Sequence, residues 1–145
     1  MVCLGNICRS PLAEGILRSK LDSDSYIIDS AGTGDWHVGN APDDRSIKVG
    51  KENGVDISNL RGRQFTAQDL DDYDHLFVMD QNNYDDVIRK ATAPDQKRKV
   101  RMMLDVLFPG ERVDVPDPYQ GDLSDFRKVY KMLDEACKEL AEELG

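Results

Sequence analysis

The sequence predicts a single α/β domain over residues 1–145, a doubly wound fold with a short parallel sheet of about four strands and helices on both faces. Three observations predict it. Short apolar runs alternate with helical patterns from one end of the chain to the other. No internal repeat, low-complexity tract or linker interrupts that alternation, and 145 residues suit one domain. The chain closes on a long amphipathic helix.

Taken in order, Val2-Cys3 ends a first strand that leads into a loop and then a helix. Ser10 reads as that helix's N-cap and Pro11 as its first helical residue. Leu12, Ile16 and Leu17 recur at helical spacing behind them. Tyr26-Ile27-Ile28 reads as a buried strand. A second helix is expected after Pro42, stopping at Asn53-Gly54. His75 to Met79 is a further strand, followed after Asp80 by a helix to about Ala91. Val100 to Met103, with basic flanks, is another strand. In the last helix Phe126, Val129, Tyr130, Leu133, Ala136, Cys137, Leu140 and Leu144 make one apolar stripe, which places Cys137 in the core.

Composition narrows the chemistry. With 28 acidic and 19 basic side chains the formal net charge is −9, which argues against nucleic-acid binding and a polybasic membrane anchor. No run of apolar residues is long enough for a membrane helix, and the N-terminus lacks the features of a signal peptide. Three cysteines are too few for a disulfide framework. The expected compartment is the cytoplasm, where a cysteine that matters is reactive rather than structural. Lys97-Arg98-Lys99 with Arg101 reads as a solvated face rather than an import signal. A monomer is expected.

In a doubly wound sheet, ligands sit at the carboxyl ends of the strands, so the first strand-to-helix loop draws attention. It runs Cys3-Leu4-Gly5-Asn6-Ile7-Cys8-Arg9-Ser10. Such a loop aims several backbone N–H groups and the positive end of the helix dipole at one point. Gly5 permits close approach of a ligand, and Asn6 tolerates a left-handed conformation. Arg9 supplies a planar fork matched to two oxyanion oxygens. Cys3, beneath the anion, sits in surroundings that favour thiolate. Neither the Gly-Lys-Ser/Thr loop of nucleotide binders nor a glycine-rich dinucleotide fingerprint is present.

Other residues leave alternatives open. Asp117, between Pro116 and Pro118, is either an ordinary Asp-Pro turn or a proton donor on a stiff loop. Trp36, in a glycine-rich loop, either packs that loop or faces a ligand. His37 lines a rim or is a solvated loop histidine. Cys8 is either a small buried hydrophobe or a thiol able to capture an oxidised Cys3. With His37 and His75 as the two histidines, no metal cluster stands out.

The run Val2-Cys3-Leu4-Gly5-Asn6-Ile7-Cys8-Arg9-Ser10-Pro11 resembles the signature of the low-molecular-weight protein tyrosine phosphatases. The likeness continues through Asp35-Trp36-His37-Val38-Gly39, Met79-Asp80 and Asp117-Pro118-Tyr119, in order along essentially the whole chain. The resemblance implies hydrolysis of phosphotyrosine and small aryl phosphates through a phosphocysteine on Cys3. It makes Arg9 and the loop residues Leu4, Gly5, Asn6, Ile7 and Cys8 the phosphate cradle, and Asp117 the general acid and base. Ser10 would support the thiolate, Asn6 would brace the loop, and Trp36 and Tyr119 would flank the aromatic ring. A reversible Cys3–Cys8 disulfide is also implied. So are phosphotyrosine proteins as partners, phosphate or other oxyanions as competitive ligands, and no cofactor.

Two departures and two rivals bear on that resemblance. Met1 and Val2 alone precede Cys3, where the family has several apolar residues, so a clipped or misplaced start is expected. Gln120 stands where many relatives have a second tyrosine, which weakens any role for a tyrosine pair in regulation. An arsenate reductase would need a mid-chain cysteine pair, and none lies between Cys8 and Cys137. A phosphoarginine phosphatase would carry Thr at the position of Ile7 and lack the Asp-Pro-Tyr aromatic. The acidic exterior is expected to disfavour strongly acidic peptides unless Lys or Arg flanks the phosphotyrosine.

Overall fold

Leu76-Phe77-Val78 is apolar at every position, so a strand built from it needs cover on both faces. The computed structural model, which describes residues 1–145, supplies that cover. Four parallel strands, β1 (Val2–Cys3), β2 (Ala31–Gly32), β3 (Leu76–Val78) and β4 (Val100–Met102), stand in the order β2-β1-β3-β4. Val2 lies opposite Ala31 on one side and Val78 on the other, and Leu76 pairs with Val100.

The strand period of two sorts side chains into two cores. Cys3 and Phe77 join a cluster with Leu12, Ala13, Ile16 and Leu17 of α1 (Arg9–Lys20) and Val49 of α2 (Asp44–Glu52). The apolar stripe of α6 (Leu123–Leu144) completes it, with Cys137 buried as expected. Val2, Leu76, Val78, Val100 and Met102 face the other way, where Val87 of α4 (Gln81–Arg89) covers them. The short helices α3 (Asp69–Asp72) and α5 (Pro94–Arg98) and a 3₁₀ turn at Met103–Val106 have no clear periodic signal in the sequence. No helix is long and apolar enough to cross a membrane.

Two expectations change. Tyr26-Ile27-Ile28 is not a strand. The Ile28 carbonyl accepts from the Arg18 guanidinium, the Tyr26 hydroxyl donates to the Leu144 carbonyl, and Ile27 is 87% exposed. Pairing starts later, where the Ala31 N–H donates to the Met1 carbonyl, because β1 offers a ladder only at Val2–Cys3. Residues 26–28 instead border a cavity of about 470 Å³ at the N-terminal edge of the sheet, with Met1, Leu17 and Phe77 among its lining. Ser10 is also not an N-cap. The helix starts at Arg9 with Cys8 at the cap and no side-chain capping bond, so Ser10 lies inside the first turn, its hydroxyl bonded to Cys3 and Asn6.

Candidate active site

The loop between β1 and α1 lies at the carboxyl edge of the sheet, beside the point where the chain switches sides between β1 and β3. Asn6 adopts φ of 57°, and its N–H turns inward to donate to Cys3 Sγ at 3.3 Å. Gly32 of the neighbouring strand lets the loop settle this close. A Cβ there would lie 2.9 Å from the Leu4 carbonyl oxygen. The uncapped first turn of α1 keeps its amide donors free for a ligand.

Behind the loop runs a buried chain of hydrogen bonds. The Arg63 N–H donates to Asn6 Oδ1 at 3.1 Å, which fixes the amide with Nδ2 facing two hydroxyls. At the other end, Glu14 Oε1 accepts from Ser30 Oγ at 2.7 Å. Ser30 therefore accepts from Asn6 Nδ2, at 2.9 Å, and Ser10 Oγ accepts the second Nδ2 proton at 2.7 Å. The Ser10 hydroxyl also lies 3.0 Å from Cys3 Sγ, close enough to donate to a thiolate there. One branch of this chain thus runs from the Asn6 amide to Ser10 beside the sulfur, and the other runs through Ser30 to Glu14. Burial raises the Glu14 carboxyl above its ordinary range, against the Ser30 hydrogen bond and the Arg18 charge, which oppose it.

Arg9 is 2% exposed. Its Nη1 donates to Asp80 Oδ2 at 2.7 Å and to the Val115 carbonyl at 2.9 Å. Nε and Nη2, the two-pronged edge of the fork, make no hydrogen bond within the protein, and Nη2 lies 3.7 Å from Asp117 Oδ2. Burial works against the guanidinium charge, but the Cys3 sulfur, Asp80 and Asp117 outweigh it and raise the Arg9 pKa. Asp117 itself is 46% exposed, with Oδ1 accepting from the Tyr119 N–H at 3.1 Å. Its loop is anchored where the Val115 N–H donates to the Met79 carbonyl at 2.7 Å, just past β3. Thus Cys3, Arg9 and Asp117, up to 114 positions apart (117 − 3), converge at one edge of the sheet.

The sequence pattern of the family described as "Low molecular weight phosphotyrosine protein phosphatase" matches residues 1–145. The chain belongs to that family. It is 35% identical to the low molecular weight phosphotyrosine protein phosphatase of Sus scrofa, over 99% of this chain and 92% of that one. A crystal structure of a protein tyrosine phosphatase from Entamoeba histolytica, with Hepes in its active site, superposes at a TM-score of 0.91 and 36% identity. That match covers 99% of this chain and 93% of the other. Wzb of Vibrio vulnificus in complex with benzylphosphonate gives 0.88 and 31%, over 98% and 94%.

This low-molecular-weight phosphatase holds the two aromatic residues predicted to flank the substrate outside the core. Trp36 is 68% and Tyr119 44% exposed, and the Trp36 ring packs over Gly34 of its own loop while leaving a face open. His37 is half-buried, its ring beside Gly5 and within 3.3 Å of Asn40 Nδ2. Cys8 is buried, and desolvation, with the nearby Asp43 charge, pushes its thiol up to about 12. Leu4 is partly exposed and Ile7 half-buried at the rim of the cradle. No three His, Cys, Asp or Glu side chains are grouped to hold a metal ion.

Several residues of the site carry no signal in the sequence. Asp80 reads as a helix start and is one, since its Oδ1 accepts from the Asn83 N–H at 2.8 Å, yet its other oxygen holds Arg9. Glu14 and Ser30 look like surface residues until the fold buries them. Arg45 lies above the Phe126 ring at 4.3 Å and donates to the Tyr119 and Gly121 carbonyls, each at 3.0 Å, propping the Asp117 loop. Only Asp80, beside Met79 in a segment shared with the family, had a usable cue.

Proposed function

We propose that this chain hydrolyses phosphotyrosine and small aryl phosphates through a phosphocysteine on Cys3. The observation that carries the reading is the surround of the Cys3 sulfur, which accepts from the Asn6 N–H at 3.3 Å and lies 3.0 Å from the Ser10 hydroxyl, with the open edge of Arg9 3.7 Å from Asp117. In the first step the Cys3 thiolate attacks phosphorus in line. The bond to the phenolic oxygen breaks, and Asp117 gives that oxygen its proton. In the second, the Asp117 carboxylate takes a proton from water as the water attacks phosphorus and the S–P bond breaks. Phosphate leaves and both residues return to their starting states.

Arg9 and the loop amides stabilise the equatorial oxygens, with Nε and Nη2 of Arg9 as the two-pronged donor. Leu4, Gly5, Ile7 and Cys8 complete the cradle. The exposed faces of Trp36 and Tyr119 suit the walls of a cleft for an aromatic ring. Phosphate and other oxyanions then compete with substrate, in keeping with the benzylphosphonate held by Vibrio vulnificus Wzb. Under peroxide, an oxidised Cys3 (S–OH) reacts with the Cys8 thiol to give a disulfide and water. Cys8, held protonated, waits for that partner rather than reacting first.

The test is turnover of a chromogenic aryl phosphate with chelator and reductant present. Wild type is expected to be active and Cys3→Ser inactive, with Asp117→Ala slower by about 10²–10⁴-fold. Full activity in Cys3→Ser sinks the mechanism. Phosphotyrosine and phosphoarginine peptides assayed side by side separate this reading from a phosphoarginine phosphatase, against which Ile7 and Tyr119 already speak.

A further inference from the structure

We infer that a groove beside the phosphate cradle receives an acidic residue flanking the phosphotyrosine, so that Lys90 and Arg89 set substrate preference on one side of the site. This rests on the phosphotyrosine reading above. The groove has a volume of about 270 Å³, and its floor is Leu4, Thr33 and Gly34. That floor is stitched to the cradle. The Thr33 N–H donates to the Cys3 carbonyl and the Gly34 N–H to the Leu4 carbonyl, each at 2.9 Å. A peptide whose phosphotyrosine enters the cradle therefore has this groove next to it.

Its two long walls differ in character. One is the Trp36 indole, which lies flat over Gly34, where a Cβ would overlap the ring. The other is the carboxyl end of α4, with Arg89, Lys90 and Asp86. Asp86 is paired with Arg89, while Lys90 has no carboxylate partner, so the wall carries a net positive charge. The last carbonyls of α4 absorb part of it. Thr33 adds an independent sign. Its hydroxyl is enclosed and has no hydrogen-bond partner in the protein, a state that a polar ligand group reached by rotation about χ1 relieves. A glutamate fits this combination, with methylenes against Trp36 and Leu4 and its carboxylate toward Lys90, Arg89 and Thr33. On a chain of net charge −9, the groove is a local exception to the acidic surface.

The experiment measures kcat/KM at low salt for phosphotyrosine peptides in which one glutamate is moved through each flanking position of a neutral sequence. A small aryl phosphate serves as the control for chemistry. At one position glutamate is expected to raise kcat/KM about two- to fivefold over alanine, the range of an exposed charge pair, and added salt should erase the gain. The ratio of glutamate to alanine peptide at that position should fall to one in Arg89→Gln/Lys90→Gln and persist in Lys90→Arg. A phosphatase with no favoured position, or with the same ratio in the double variant, overturns this inference alone. Absence of turnover on both peptide and aryl phosphate overturns the phosphatase reading and this one with it.

Discussion

Replacing Asp80 by asparagine separates the two tasks of one side chain. Its Oδ1 caps α4 through the Asn83 N–H, and its Oδ2 pairs with Arg9 at 2.7 Å. Asparagine is as good an N-cap as aspartate, so the helix start survives while the charge is lost. At 2.7 Å and an effective dielectric of about 20, the bare attraction is about 6 kcal/mol. Desolvation offsets much of that, and the Val115 carbonyl continues to hold Arg9. Because Arg9 stays buried without its nearest carboxylate, a net loss of about 2–3 kcal/mol is expected. That is a fall in Tm of about 5–10 °C for a chain of this size. Arg9 also loses the contact that aims its free edge, and kcat/KM should drop about 100-fold, with weaker inhibition by phosphate. Thermal unfolding and steady-state kinetics on an aryl phosphate measure both effects. Asn83→Ala is the control, since it breaks the capping box but leaves the ion pair, and it should lower Tm with little effect on kcat/KM. If Asp80→Asn matches wild type in Tm and kcat/KM, Asp80 does not position Arg9.

Arg45→Met should keep the packing on Phe126 but release the Tyr119 and Gly121 carbonyls, lowering kcat about tenfold. Its phosphate inhibition constant should stay at the wild-type value, and an unchanged kcat would show that the Asp117 loop needs no prop. Glu14 makes a pH prediction. Its folded-state pKa is raised by burial, so the folded protein binds this proton more tightly than the unfolded chain, and its contribution to stability declines as pH rises above about 4.5. The Tm of Glu14→Gln relative to wild type should therefore improve from pH 4.5 to neutral, whereas parallel curves would refute the assignment. A short apolar segment placed ahead of Val2 should extend β1 into the 470 Å³ cavity and raise Tm, and an unchanged Tm counts against that. After peroxide and then reductant, wild type should regain activity that Cys8→Ser does not; equal recovery argues against capture by Cys8.

The alternation of apolar runs with helical stripes was enough for the α/β architecture, because a parallel sheet demands strands apolar on both faces and helices apolar on one. Leu76 to Val78 and the stripe of α6 read correctly for that reason. Cys3, Gly5, Asn6 and Arg9 could be proposed together as a cradle because they are neighbours in sequence, although Gly32, Ser30, Arg63 and Asp80 from distant segments hold their loop in place. Tyr26 to Ile28 misled because apolarity signals burial or pairing only if a partner strand runs alongside, and β1 offers no ladder there. Ser10 misled for a related reason: a hydroxyl at a helix start suits a cap, but here the sulfur of Cys3 and the amide of Asn6 claim it. What sequence could not contain is distance. Asp80 on Arg9, Glu14 and Ser30 behind Asn6, Arg45 beneath the Asp117 loop, and Lys90 across from Trp36 are contacts between elements far apart in the chain. Their polar side chains look solvated one by one, and acquire their roles only when folding removes water and leaves them one another as partners.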